Sequence, residues 1–447
     1  MTKLQRYKTG QIIELIETIS HGGQGEIWKT NKNGFVAKIY SSVDSILVEK
    51  LQVMVDNPPE DTMRKKGHVS IAWPEDLLRD SNEKFVGFIM PEIGNGQTLI
   101  NVYNPSQREN VAPGFNWLYL HITALNVAII IEAIHAKNYI VGDIKPENLL
   151  VNSRALVSIV DTDSFQIRHP QIKKNCPSSV SFQIRHPQIE KIYRCPVGSE
   201  EYTPPELIGK DFKTIDRLEI HDCFGLGVII YHLLFGYHPY DGIDKSGGKP
   251  TNLNERISKT SWPHAPNSPI SPSMISIPLD IVHPKIQTCF HRCFTVGSEN
   301  PHLRPSAKEW RDALEVAIAD LTDCSNETGH QYAKTYGKCY WCERKLEIGG
   351  YDIFPTVPDS SKYTVTAFRA SLKVNQSTPL ADQPKTSVTL QPPRKVYPRE
   401  PIKKHSSPIV QWITVTAVTL ASLVGIPPIR ENITLPVINR LIQIIHK

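Results

Sequence analysis

Along residues 11–40 two apolar runs, Ile12–Ile19 and Phe35–Ile39, flank three closely spaced glycines, Gly22, Gly23 and Gly25. Strand-forming runs broken by glycine predict short strands around a turn, a β-hairpin. The period then changes. From Asn116 to His135 the residues Leu118, Ile122, Leu125, Ile129 and Ile134 recur at helical spacing, which predicts a long helix. His121, Asn126 and Glu132 interrupt it, so a protein core rather than a bilayer is its expected surrounding. A second apolar helix is predicted over Phe224–Leu234, with Asp222 as its N-cap and Gly236 as its stop before His238-Pro239. A third, amphipathic, is predicted over Ala307–Leu321. Strands first and long helices after make α+β the expected class, with a β-rich N-terminal lobe and a helical C-terminal lobe.

The pattern dissolves near the C-terminus. Nine prolines fall between Pro355 and Pro408 among Ser, Thr and Lys, which is linker composition and carries no expected fold. Ile409–Ile426 is then an 18-residue run without a charge, about 27 Å long as a helix against a hydrocarbon core of about 30 Å. Arg394, Lys395, Arg399, Lys403 and Lys404 precede it and Arg430 and Arg440 follow it, so a spanning helix would leave the N-terminal lobes in the cytoplasm. The alternative is a buried or docking segment. One internal repeat occurs: SFQIRHPQI at Ser164–Ile172 returns at Ser181–Ile189, a period of 17. Two such copies do not build a solenoid, and a local duplication is the simpler reading.

The length of 447 residues suggests two or three units. With 40% hydrophobic and 21% charged residues, wholesale disorder and a polytopic membrane protein are both excluded. A net charge of +5 is too small to suggest a nucleic-acid partner. The eight cysteines follow no signal-peptide pattern, so free thiols are the expectation. Cys289 and Cys293, one helical turn apart in an apolar stretch, read as core thiols. Cys324, His330, Cys339 and Cys342 differ: a Cys-x2-Cys knuckle with a Cys and a His upstream makes a Cys3His set suited to structural zinc. Reduced, unliganded thiols are the alternative.

The densest chemistry is GDIKPENLLV at Gly142–Val151, followed by Asp161-Thr162-Asp163. Phosphoryl transfer needs a carboxylate beside the attacking hydroxyl and oxygen ligands for magnesium. Asp143 and Asn148 are five residues apart, and a strand-like stretch, Leu149–Val160, leads to Asp161. In this the chain resembles the protein kinase superfamily. It resembles in particular bacterial kinase-like proteins with a GD-x-x-x-x-N catalytic loop and a C-terminal Cys/His zinc module.

The resemblance implies a bilobal fold, ATP and Mg2+ as cofactors, and a role for each matching residue. Gly22 and Gly25 match the second and third glycines of the phosphate-covering loop, with Ser20 in place of the first, Gly23 between them and Ile27 after them. Lys38 matches the strand lysine that contacts the α- and β-phosphates, and Glu49 is its expected ion-pair partner from the following helix. Asp143 and Lys145 match the catalytic base and the lysine on the γ-phosphate, and Asn148 and Asp161 the magnesium ligands. Ser199 takes the place usually held by threonine before A-P-E, Glu206 that of the A-P-E glutamate, Arg304 that of the arginine that pairs with this glutamate, and Asp222 that of the buried aspartate that organises the catalytic loop. His135 reads as packing.

Two departures accompany these matches. Val141-Gly142 replaces His-Arg before the catalytic aspartate, so a phosphate on the activation segment lacks its usual arginine there. Asp161-Thr162-Asp163 replaces D-F-G. A helix-hairpin-helix DNA-binding module, found in relatives, would need a second glycine where Pro427-Pro428 stands, so nucleic acid is not an expected partner. The expected organisation is a kinase-like domain at 10–320, a zinc-ribbon-like module at 321–350, a disordered linker at 351–408, a membrane-spanning or docking helix at 409–426 and a tail at 427–447. The expected activity is phosphoryl transfer from ATP to Ser or Thr hydroxyls of protein substrates. The alternative is a pseudokinase or nucleotide-binding scaffold that recruits partners through its module or tail.

Overall fold

The structure is a computed structural model and describes residues 2–169 and 191–356. The chain divides into a compact unit, Met1–Lys373, and a second, Val374–Lys447, which lies outside the described residues. So do the expected helix at 409–426, the second copy of the repeat and most of the proline-rich linker.

Six strands close into an antiparallel barrel in the order β1-β2-β3-β4-β6-β5. They are β1 (Lys3–Arg6), β2 (Ile12–Gly22), β3 (Gly25–Thr30), β4 (Phe35–Tyr40), β5 (Asp76–Arg79) and β6 (Phe85–Pro91). Ile13, Leu15, Ala37, Leu78 and Ile89 fill its interior. The expected hairpin is corrected: the run Ile12–Ile19 lies in β2, which turns between Gly22 and Gly25 and pairs with β3, and the run Phe35–Ile39 is β4, on the other side of β3. Gly25 has to be glycine, because a Cβ there would collide with the carbonyl oxygen of Ile39 on β4. Helix α1 (Ser45–Asp56) follows β4, capped by the Asp44 carboxylate, which accepts from the Leu47 amide at 2.7 Å.

The second lobe is mostly helical. A short strand, β7 (Gln97–Thr98), leads through α2 (Leu99–Tyr103) and α3 (Pro105–Val111) to α4 (Trp117–His135). Helix α4 is long and apolar enough to cross a bilayer, yet 83% of it is buried inside the protein, packed on the helices that follow. Its apolar periodicity therefore reports a core, and Asn116 caps it through the Tyr119 amide. Beyond it β8 (Leu149–Val151) and β9 (Val157–Ile159) complete a three-stranded sheet with β7, and β10 (Ile167–Arg168) pairs with β11 (Ile192–Tyr193).

Helix α5 spans Glu219–Phe235 and ends at Gly236, whose φ of +82° closes it in the left-handed conformation. The sequence-based expectation that Asp222 caps this helix is corrected: Leu218 is the cap, and Asp222 lies within the first turn with its carboxylate turned to the catalytic loop. Farther on come β12 (Ile243–Asp244) paired with β13 (Ile270–Ser271), α6 (Leu253–Ser258), α7 (Pro284–His291), the single turn α8 (Gly297–Glu299) and α9 (Ala307–Asp320). Ser306 and Glu309 form a capping box at the start of α9, and Cys289 and Cys293 are core thiols as expected.

The last described elements are a hairpin, β14 (Leu321–Asp323) and β15 (Gln331–Ala333), and helix α10 (Tyr340–Glu347). They do not form a separate bead. Trp341 packs edge-on against Trp117 at 5.2 Å and against Phe354 at 4.7 Å, and all three belong to the main core. Packing on the main core continues past residue 350. Ile353 accepts a hydrogen bond from the buried Arg108 guanidinium at 2.9 Å, which also covers the Phe354 ring, so the module runs on to Phe354.

Candidate active site

Strand β4 carries Lys38 opposite Ile27 of β3 in the ladder, so the two residues share a face. Ser20 pairs with Ile27 in turn, which places the glycine turn above the lysine. The Lys38 ammonium bridges two carboxylates, Asp161 at 3.0 Å and Asp163 at 2.8 and 2.7 Å. Burial alone would lower its pKa, but Asp163 and then Asp161 outweigh that and carry it above the ordinary value. Tyr40, two residues along the same strand, donates to Asp163 Oδ2 at 2.6 Å.

Glu49 is not the partner of Lys38, contrary to the expectation. It faces solvent, paired with Lys191, and that hydrogen bond holds its carboxyl below the usual range. The reason is helical phase. The stripe of α1 that enters the core is Leu47, Lys50, Leu51 and Met54, so Glu49 is turned away from it and Lys50 lies on it. Lys50 is 6% exposed, donates to the Asp163 carbonyl at 2.6 Å, and has its pKa lowered by burial to about 8. Asp163 is thus a site residue that the motif did not reveal, because it occupies the glycine position of D-F-G. Its signal was a second carboxylate two residues from the first.

The catalytic loop is held from below by Asp222, whose carboxylate accepts from the amides of Val141 and Gly142 at 2.8 and 2.9 Å and contacts His135 Nε2 at 2.9 Å. At its tip Asp143 Oδ2 meets the Lys145 ammonium at 2.6 Å, and Oδ1 accepts from the Ser199 hydroxyl at 2.8 Å. Burial pulls the Lys145 pKa down, but the Asp143 contact outweighs it and the net direction is up. The Asn148 side-chain amide donates to the Asp143 backbone carbonyl at 3.2 Å, and the Asn148 backbone carbonyl accepts from the Val160 amide at 2.9 Å. This sets Asn148 beside the strand that delivers Asp161. Asp161 has φ +57°, uncommon for a residue with a side chain, and its side chain is 39% exposed to the cleft. Carboxylate and amide oxygens at the cleft wall are the hard donors that magnesium takes, so Asp161 and Asn148 suit it. Arg304, fully buried, grips Glu206 in a bidentate pair at 2.6 and 2.7 Å.

Away from the cleft, the ligand atoms of Cys324, His330, Cys339 and Cys342 all lie within 4.8 Å of one another. Cys324 Sγ is 3.6 Å from Cys342 Sγ, and His330 Nδ1 is 3.4 Å from Cys342 Sγ and 3.6 Å from Cys339 Sγ. Tetrahedral zinc with bonds near 2.3 Å to sulfur and 2.0 Å to nitrogen sets its ligand atoms about 3.5–3.8 Å apart, which these three separations match. His330 Nε2 faces Asp352 at 2.8 Å, which leaves Nδ1 for a metal.

The two lobes, the lysine–carboxylate cluster between them and the Asp143 loop below define a protein kinase, and the sequence model of the protein kinase domain matches residues 66–313. That is more than half of the chain, which belongs to this family. Among known proteins it is similar to protein kinase YegI of Escherichia coli strain K12, 28% identical over 342 residues, covering 75% of this chain and 49% of the relative. Serine/threonine-protein kinase ppk22 of Schizosaccharomyces pombe is 23% identical over 280 residues, 60% of this chain and 51% of the relative. Flippase kinase 1 of Saccharomyces cerevisiae is 30% identical over 150 residues, 31% and 16% respectively. The chain spans about half the length of the YegI relatives it matches.

Proposed function

We propose that the chain is an active protein kinase that transfers the γ-phosphoryl group of ATP to Ser or Thr hydroxyls of protein substrates. The observation that carries this reading is the Asp143 carboxylate with a lysine on one oxygen and an aliphatic hydroxyl on the other. Asp143 orients an incoming hydroxyl and accepts its proton, as Oδ1 already accepts the Ser199 hydroxyl. Lys145 neutralises charge on the transferring group, and Lys38, held between Asp161 and Asp163, holds the α- and β-phosphates. Asp161 and Asn148 would hold magnesium, which supplies charge neutralisation on the phosphates when bound. The Ser/Thr preference is supported by Ser199 beside Asp143 and by relatives named as serine/threonine kinases. The Cys3His cluster is proposed to hold one structural zinc: four protein ligands leave no position for a reacting water.

The test is incubation of purified chain with γ-labelled ATP, Mg2+ and generic protein acceptors, followed by phosphoamino-acid analysis. Label on serine or threonine, absent in Asp161→Ala, is expected. Nucleotide binding without any transfer would replace this reading with the scaffold.

A further inference from the structure

The catalytic loop lacks an arginine before its aspartate, yet a guanidinium occupies that space. Arg217, from the segment leading into α5, is 2% exposed. One arm donates to the Gly142 carbonyl and the other to the Val197 carbonyl. Its Cζ lies 3.8 Å from the centre of the Phe212 ring, and its own backbone is clasped by the buried Gln166 side chain through two hydrogen bonds of 2.8 Å.

The glycines around it confirm the fit. A Cβ at Gly142, whose φ is +76°, would lie 2.5 Å from Arg217 Nη1 and 2.8 Å from Cys195 Sγ. A Cβ at Gly198 would lie 2.6 Å from the Phe212 ring and 3.0 Å from Arg217 Nη2. A side chain at Gly142 would meet both this arginine and Cys195, and one at Gly198 would meet the arginine and its aromatic cover.

The contacts fall on the two walls of the hydroxyl subsite. Asp222 fixes the amide of Gly142, and Arg217 fixes its carbonyl, which belongs to the peptide unit leading directly into Asp143. Val197 is two residues before Ser199, which donates to Asp143. We infer that Arg217 is a positioning residue that replaces the missing catalytic-loop arginine. It clamps the Asp143 peptide to the Val197–Ser199 segment with carbonyl bonds, so that no phosphate on the activation segment is needed to join them. This rests on the phosphotransferase reading above.

The test uses the full chain. Arg217→Lys keeps the charge and most of the volume, but an ammonium cannot reproduce the planar two-armed fork. Its kcat is expected to fall about 10- to 100-fold, the cost of a slightly misplaced catalytic group, with KM for ATP and the affinity for Mg2+-ADP within about twofold of wild type, since the lysine–carboxylate cluster is untouched. Millimolar guanidinium should restore part of the kcat of Arg217→Ala and none of that of Arg217→Lys. Wild type freed of phosphate by a phosphatase, checked by mass spectrometry, should keep its kcat. A folded Arg217→Lys with wild-type kcat, equal losses in kcat and ADP affinity, or activity that disappears with the phosphate would each overturn the inference. Hydrogen exchange separates its failure from that of the kinase reading. Amides at 141–145 and 195–199 should exchange faster in Arg217→Lys even if the wild type transfers no phosphate, and unchanged exchange would refute the clamp.

Discussion

Lys38 is held by Asp163, two residues beyond the magnesium-site aspartate, and by no carboxylate from α1. Asp163→Asn is expected to leave the protein folded and to lower kcat/KM for ATP about 100-fold, about 2.7 kcal/mol of transition-state stabilisation. Glu49→Gln should leave it within about twofold; steady-state kinetics in ATP decides between the two partners. Lys50 gives the same cluster a pH dependence. Its pKa is lowered by burial from 10.5 to about 8, so between those values the unfolded chain binds a proton that the native chain does not, and stability should rise with pH across that window. Denaturation midpoints at pH 7.5 and 10 should show a rise of up to roughly 3 kcal/mol that Lys50→Met lacks. The run from Asp143 to Asp161 was legible in the sequence because its chemistry is packed into one short segment. Asp163 and Arg217 were not, since each does its work through a contact distant in the chain. Lys50 was within reach: it lies on the apolar stripe of α1, where a phase count would have found it.

At the scale of elements, the Glu206–Arg304 pair ties the segment after Ser199 to the turn before α9. Arg304 is fully buried, so Glu206→Ala leaves its charge uncompensated and should cost about 3 kcal/mol, read as a lower denaturant midpoint. The helices α4, α5 and α9 were visible in the hydrophobic pattern because each buries one continuous face or a whole surface, whereas β3 was missed, since β2 and β3 leave much of their surface exposed, Ile12, Ile16 and Ile19 among it. The start of α5 was misread because an aspartate in the first turn looks like a cap when its real partners, the Val141 and Gly142 amides, are some eighty residues away. The Cys/His module was legible as ligands and not as packing. Trp341, one residue before Cys342, lies against Trp117 at the start of α4, so losing the metal should reach the kinase lobe. Cys342→Ser or chelation is expected to remove one zinc per chain and to lower the unfolding temperature of the whole compact unit, as read by elemental analysis and calorimetry. A module that melts alone would show that the tryptophan contact carries little.

For the molecule as a whole, the two lobes meet at a cleft whose walls come from β4, the Asp143 loop and the Asp161–Asp163 turn, with the Cys/His module joined to the far side of the helical lobe. The uncharged run at 409–426, preceded by five basic residues, motivates the proposal that the chain is anchored to a membrane. Full-length protein should then resist alkaline carbonate extraction, whereas a chain ending after Thr356 should be soluble. Full-length chain released by carbonate would favour a docking segment. That the chain moves phosphate, rather than only binding nucleotide, rests on the carboxylate of Asp143. The decisive measurement is a single-turnover assay of wild type and Asp143→Asn with saturating Mg2+-ATP and a protein acceptor, with Mg2+-ADP affinity measured in parallel. Transfer by the wild type that falls at least 100-fold in Asp143→Asn at unchanged ADP affinity is the predicted result. Equal transfer by the two, or none by a wild type that binds ADP, would contradict it.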